Sequence, residues 1–344
     1  MKFFTLLTIV FIALISLGCS RENRVVLVTG GAGYIGSHTC RVLKEAGYTP
    51  VTYDSFAQGS PEAVKWGPCV QGDLLEVEKL EAAFEEYHPV AVVHFAALRN
   101  VGDSVKDPSS YYTNNVMGSI NLLNAMLKHH VKNIIFSSSC TVYGVCDVCP
   151  IDEKQVRAPT NPYAVSKYTM ERMIEDFALA YGFKYMILRY FNAAGIDVES
   201  GLKRTVHSQS FLIPKAMLSI LHPESPLMVF GTDYSTFDGT AIRDYIHVKD
   251  LAEAHLLALR YLEEGSKSEV INLGTGKGLS VFEIISAIEK VTAKKVPCVM
   301  MPRREGDVPE AVADTKKAQE ILHFKPQFSD LNNIIESEWS SLKN

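Results

Sequence analysis

The stretch VVLVTGGAGYIGSHTCRVL (Val25–Leu43) restricts the possible folds more than any other part of this chain. Five apolar or β-branched residues lead into a glycine-rich turn and then into helical periodicity, so it reads strand, turn, helix. Gly30, Gly33 and Gly36 stand in a G-x-x-G-x-x-G spacing. Glycine permits positive φ and close backbone approach, and the N-terminus of the following helix offers free N–H groups to a pyrophosphate. By itself the triplet is a weak signal. Here it follows the first strand, and Asp54 ends the next one. An acid at that place hydrogen-bonds the adenosine ribose hydroxyls and repels the extra phosphate of NADP. The plainer reading of Asp54 is a turn residue before Ser55. Together with the glycines it points to dinucleotide binding, with NAD favoured over NADP and with Tyr34 and Ile35 in the same site.

From Arg24 onward, nearly all-apolar runs at 25–29, 50–53, 91–95, 133–138 and 185–190 alternate with stretches of helical length at 35–46, 77–87, 115–129 and 163–181. Strands of that kind are buried on both faces, as in a parallel sheet. The chain therefore reads as α/β, a Rossmann-type doubly wound parallel sheet with ligands at the carboxyl ends of its strands. With 344 residues, 47% hydrophobic and 21% charged, it can bury a large core. After about Asn192 the pattern loosens, and 196–240 holds one clear helix near 213–221. The expected division is an NAD-binding domain over 25–193, rejoined by part of 241–262, and a smaller substrate-binding α/β region over 194–344. Within the first, Asp73 and Leu74 follow the third strand, where an acid can accept from the adenine amino group; as a lone feature this is a turn. Phe95, Ala96 and Ala97 end the fourth strand, and the small residues let backbone approach a cofactor. His94 reads as a packed histidine.

Several classes drop out. A net charge of −5 with no basic tract argues against a nucleic-acid partner. Seven cysteines at irregular spacing do not form a disulfide framework. Cys146 and Cys149 make one C-x-x-C, but no second ligand pair completes a zinc site, so no metal is expected. The first nineteen residues are an apolar run behind one lysine, ending in Gly-Cys. Residues 1–24 thus resemble a lipoprotein signal, with Ser16 where a leucine is usual. A start codon placed too far upstream, or a retained membrane-proximal anchor, are the other readings. The catalytic part is expected in the cytoplasm, with any membrane association confined to that segment.

In TNPYAVSKYTMER, Tyr163 and Lys167 sit at i and i+4, on one face of a helix that starts near Pro162. A phenol titrates near 10, too high for a good base at neutral pH. A nearby ammonium and the positive nicotinamide of NAD would lower it. Ser139, ending the fifth strand, is placed to hydrogen-bond the same substrate hydroxyl. T-G-x-x-G-x-x-G, a serine-rich strand end and Tyr-x-x-x-Lys, in that order, resemble the extended short-chain dehydrogenase/reductase family. The resemblance implies Tyr163 as acid/base, Lys167 as its electrostatic partner and Ser139 as third member.

SSSCTVYG, RYFNAAG, DGTAIRDYIHVKDLAEAH and PRREGD narrow the resemblance to the UDP-glucose 4-epimerase family, from about Val25 to the C-terminus. That likeness implies retained NAD, a UDP-hexose substrate and inversion at C4 through a 4-keto sugar. It places Asn192 on the diphosphate or sugar, Arg243 and Arg304 on the diphosphate, and Asp307 on the uridine ribose. Arg99 falls on the sugar side and Tyr190 near the nicotinamide. It also implies a homodimer joined by a four-helix bundle from segments 112–129 and 163–181. Two departures stand out. Phe211 replaces an Asn or His contact, and Ala311 replaces a bulky tyrosine of some members, leaving room for a 2-acetamido group. A dehydratase would carry an Asp-Glu pair where Cys140 and Thr141 stand. Pentose or uronic-acid 4-epimerases, and a non-catalytic NAD-binding sensor, remain as alternatives.

Overall fold

The alternating runs form β1 (Val25–Thr29), α1 (Tyr34–Glu45), β2 (Thr49–Asp54), β3 (Cys69–Gln71), α2 (Val77–Tyr87), β4 (Ala91–His94), α3 (Gly118–Lys128), β5 (Asn133–Ser139), α4 (Pro162–Tyr181) and β6 (Lys184–Tyr190). The computed structural model describes residues 24–146, 148–204, 211–304 and 306–343. The signal-like segment, residues 1–23, lies outside the described residues, and among these no helix is long and apolar enough to cross a membrane.

The chain continues through β7 (Asn192–Ala194), α5 (Leu212–Leu221), β8 (Leu227–Phe230), β9 (Ile242–His247), α6 (Val248–Glu263), β10 (Glu269–Leu273), β11 (Gly278–Ser280), α7 (Val281–Thr292), β12 (Cys298–Met301), β13 (Glu310–Ala311), α8 (Lys316–Leu322) and α9 (Leu331–Lys343). Seven strands make one parallel sheet in the order β10-β6-β5-β4-β1-β2-β3. The strand order reverses between β1 and β4, which opens a crevice at their carboxyl ends. Residues 269–273, inside the span expected for the substrate region, supply the edge strand β10. A smaller sheet centres on β9, which pairs with β7, β11 and β13, and β8 pairs with β12.

Successive strand residues point to opposite faces, and both faces of the large sheet are covered. Val26 and Val28 pack with Leu251, Ala252 and Leu256 of α6 on one side. Leu27, Ile134 and Phe136 pack with Leu122 of α3 and Met170 and Ile174 of α4 on the other. Two-sided burial is why these strands read as unbroken apolar runs. A third core joins α5, α7 and α9 through Met217, Ile284 and Trp339, beside the β9 sheet.

The expected helix over 115–129 differs from the structure. A π-helical turn, Tyr112–Met117, precedes α3. It carries Asn115, fully buried, whose amide accepts from Leu98 N at 2.8 Å and donates to Leu98 O at 3.0 Å and to Ser166 Oγ at 2.9 Å. One side chain thereby ties the loop after β4 to α4. That helix is fixed in turn by Asn161, which caps Ala164 N at 2.9 Å, and by Pro162 in its first turn.

His94 is the packed histidine its sequence setting suggests, held between Thr29 Oγ1 at 2.6 Å and Ser119 Oγ at 2.8 Å. Burial pushes it down to about 3, and pushes His38, His247 and His255 down to about 4. His38 Nε2 accepts from Asp197 N at 3.2 Å and His247 Nδ1 from Lys249 N at 3.0 Å, so both rings serve as neutral acceptors. Their folded values lie below the unfolded value near 6.5, so their contribution is complete above that pH and is lost as pH falls toward 4. Unfolding free energy measured by denaturant titration should decline between pH 6.5 and 4, each histidine adding up to about 1.4 kcal/mol per pH unit.

Candidate active site

The glycine turn has no room for side chains. Gly30 has φ of +71°, and a Cβ there would stand 2.7 Å from Ala96 N; one at Gly36 would stand 2.3 Å from Gly30 O. The turn therefore lies directly against the end of β4, and the N-terminus of α1 opens into the crevice between them. Asp54 lines that crevice. Its carboxylate accepts from Ala32 N at 2.9 Å and Phe56 N at 2.8 Å, so it also braces the turn. Burial pushes its carboxyl up while those two N–H groups pull it down.

One cavity runs from this turn to α4. Gly30, Gly33, Tyr34, Ile35, Gly36, Asp54, Asp73 and Leu74 line it. Phe95, Ala96, Ala97, Arg99, Tyr163, Lys167, Tyr190 and Phe211 line it too, with the Tyr34 and Phe211 ring centres 6.2 Å apart. An anion cradle at a helix N-terminus, an acid at the tip of β2 and small residues after β4 suit a dinucleotide along the whole length. Arg243, Arg304, Asp307, Asn192 and Ala311 are placed apart from that cavity, around β9. Arg243 and Ala311 are register neighbours on β9 and β13, and Asn192 on β7 pairs with Tyr245. The Arg304 guanidinium lies 3.8 Å from the centre of the Phe230 ring, and Asp307 N donates to Arg304 O at 3.3 Å. Ala311 packs with Val142, Tyr143 and Phe191, residues that flank the ends of β5 and β6.

Tyr163 is pushed up to about 12 by burial, against the pull of the Ser139 hydroxyl and the Arg99 guanidinium. Lys167 is pushed down to about 7 by burial, with the Glu171 carboxylate pulling the other way. Its ammonium donates to Ser137 O at 2.8 Å, and Ser137 Oγ meets the Tyr190 hydroxyl. Burial thus moves both groups away from phenolate and ammonium. A cationic ligand beside the phenol would reverse the first shift.

These surroundings match a known family. Residues 26–274 match the NAD dependent epimerase/dehydratase family. The chain belongs to this family. The UDP-glucose 4-epimerase of Rhizobium meliloti (strain 1021) is 46% identical over 319 residues, covering 93% of this chain and 97% of that protein. The crystal structure of UDP-glucose 4-epimerase from Brucella ovis in complex with NAD is 47% identical, with a TM-score of 0.89 over 92% of this chain and 98% of the other. The Bifidobacterium longum enzyme in complex with NAD+ and UDP is 36% identical, with a TM-score of 0.87 over 93% and 98%.

Some residues in or beside the cavity escaped the sequence reading. Asn114 lines the cavity from the π-helical turn, which no periodicity announces. Arg204 donates to the Tyr34 hydroxyl at 2.9 Å, lies 4.0 Å above that ring and forms an ion pair with Glu338. Its partners come from α1 and α9, so no local pattern marks it. Glu171 had a signal, since it stands four residues after Lys167 on the face that carries Tyr163.

The folded value of Lys167 lies below its unfolded value near 10.5, so keeping it charged inside costs stability below about pH 7. The cost fades as pH rises toward 10.5. In cofactor-free protein Lys167→Met should melt higher than the parent at pH 6, and the gain should shrink by pH 10, as read by thermal denaturation.

Proposed function

We propose that this member of the NAD-dependent family interconverts UDP-glucose and UDP-galactose by inverting C4. The observation that carries the reading is Tyr163 and Lys167 in one cavity with the glycine turn, with Ser139 beside the phenol. The near-full-length likeness to UDP-glucose 4-epimerases supports it. Gly30, Gly33, Gly36 and Asp54 would hold NAD, and Tyr190 lines the same cavity. When bound, NAD would supply a reversible acceptor for the C4 hydride, and the sugar would pass through a 4-keto state with no net oxidation.

Tyr163 takes the C4 hydroxyl proton and later returns it, and Ser139 holds the same hydroxyl in line. Lys167 supplies positive charge behind the phenol. Arg243 and Arg304 grip the diphosphate through guanidinium forks, Asn192 binds beside them and Asp307 accepts from the ribose. Arg99 and Phe211 border the sugar end. A firm hold on UDP with a loose hold on the hexose lets the keto-sugar turn its other face. Ala311, small and the register neighbour of Arg243, leaves space for a 2-acetamido group, so the N-acetylated pair is a second substrate class.

A dimer belongs to the same reading. Tyr112 and Met117, and Leu179 and Tyr181 at the end of α4, are exposed hydrophobics on the two expected segments. Such surfaces are covered when two copies pair about a two-fold axis. Sedimentation should give twice the chain mass for residues 20–344, and Leu179→Glu should lower it to the monomer.

Purified 20–344 protein should convert both UDP-galactose and UDP-GalNAc without added NAD in a coupled assay. Tyr163→Phe should lower kcat roughly 10²–10⁴-fold while the protein still retains its cofactor. Conversion of UDP-galactose alone would remove the roomy pocket, and conversion of neither, with NAD supplied, would overturn the epimerase reading.

A further inference from the structure

Tyr163, Lys167 and Glu171 occupy successive turns on one face of α4, and only the first two line the cavity. Glu171 is fully buried beneath them. Its carboxylate accepts Arg189 Nε at 2.8 Å and Nη2 at 2.6 Å, and Ser138 Oγ at 2.5 Å. Ser138 and Arg189 are register neighbours on β5 and β6. The carboxylate therefore clamps α4 across both strands, one turn from the lysine. Arg189 is itself fixed by the Tyr143 hydroxyl at 2.9 Å, and Tyr143 donates to Asn272 Oδ1 at 2.7 Å.

Lys167 meets a carbonyl, Ser137 O, immediately before Ser138. The other titratable groups facing this part of the site are Tyr163 on its own helix, His94 from β4 and Tyr190 from β6. His94 is neutral and both phenols are held up by burial, so none of these is an anion at neutral pH. Glu171 is the carboxylate whose charge reaches Lys167.

We propose that Glu171 is the positioning residue for Lys167: its grip on Ser138 and Arg189 sets the lysine against the Ser137 carbonyl, and its carboxylate is the counter-charge of the buried ammonium. This rests on the epimerase reading only for its catalytic consequence. Arg157, which reaches Glu171 at 3.2 Å and Glu175 at 3.0 Å, closes the outer side of the clamp.

The test is the titration midpoint of Lys167 in NAD-loaded full-length protein, read from its 13Cε resonance and assigned by its loss in Lys167→Met. Glu171→Gln should lower the midpoint by about one pH unit or more, since a buried charge within one helical turn acts with that strength. Ser138→Ala removes a neutral hydrogen bond from the same carboxylate and should leave the midpoint in place. Glu171→Gln with Arg189→Gln replaces the ion pair by a neutral pair, keeps the helix clamp free of a stranded charge, and should still show the lowered midpoint. The high-pH fall in kcat should follow the midpoint in each variant, with KM for UDP-galactose little changed. An unshifted midpoint in Glu171→Gln, or one restored in the double variant, would overturn the proposal. Absence of turnover in the parent protein would sink the epimerase reading instead, and the midpoints would still decide the role of Glu171.

Discussion

The contact on which the site depends is backbone against backbone: the turn at Gly30 pressed onto Ala96 at the end of β4. It exists because neither Gly30 nor Gly36 carries a Cβ, and because β1 and β4 are neighbours at the point where strand order reverses. The first turn of α1 is thereby aimed into a crevice whose far wall is the loop 95–99. Asn115 then holds that loop to α4 through Leu98 and Ser166. An anion cradle and a phenol in one cavity are thus joined through a few short contacts.

Burial gives that cavity its chemical character. It drives Tyr163 up and Lys167 down, so the cofactor-free protein holds a reluctant base and a reluctant cation side by side. The charges that oppose these shifts are local: the Arg99 guanidinium pulls the phenol down, and the Glu171 carboxylate pulls the ammonium up. Both act at short range in a medium poorer than water, where a single charge counts for more than on a surface. The buried Glu171–Arg189 pair is fully hydrogen-bonded, the condition under which such a pair is tolerated in a core.

The β9 sheet assembles a second set of residues. It brings Asn192, Arg243 and Ala311 from three separate stretches onto adjacent strands, while Arg304 rests on Phe230. Ala194 of β7 and Tyr245 of β9 anchor these strands in a different core from that of the glycine turn, around α5, α7 and α9, while Ala311 packs with Val142, Tyr143 and Phe191. Arg204, tied to Tyr34 on one side and Glu338 on the other, links the two cores.

The sequence by itself determined the alternating strands and helices up to about residue 190 and their order, because all-apolar strands, helical periodicity, Pro162 and the three glycines are local signals carried by neighbouring residues. It also determined the chemical types at the cavity, since the glycine turn, Ser139 and Tyr163-x-x-x-Lys167 each lie within one short stretch. Only the tertiary structure decided that β10, from residues 269–273, closes the edge of the large sheet, that a π-helical turn aims Asn114 at the cavity, and that Arg204 stands over Tyr34. It also decided the protonation behaviour of the site, for the shifts of Tyr163 and Lys167 come from burial. Contacts such as Ser138 and Arg189 on Glu171 join residues 33 and 18 positions away along the chain. Such partners are chosen by strand register and helix packing, which no short window of sequence contains.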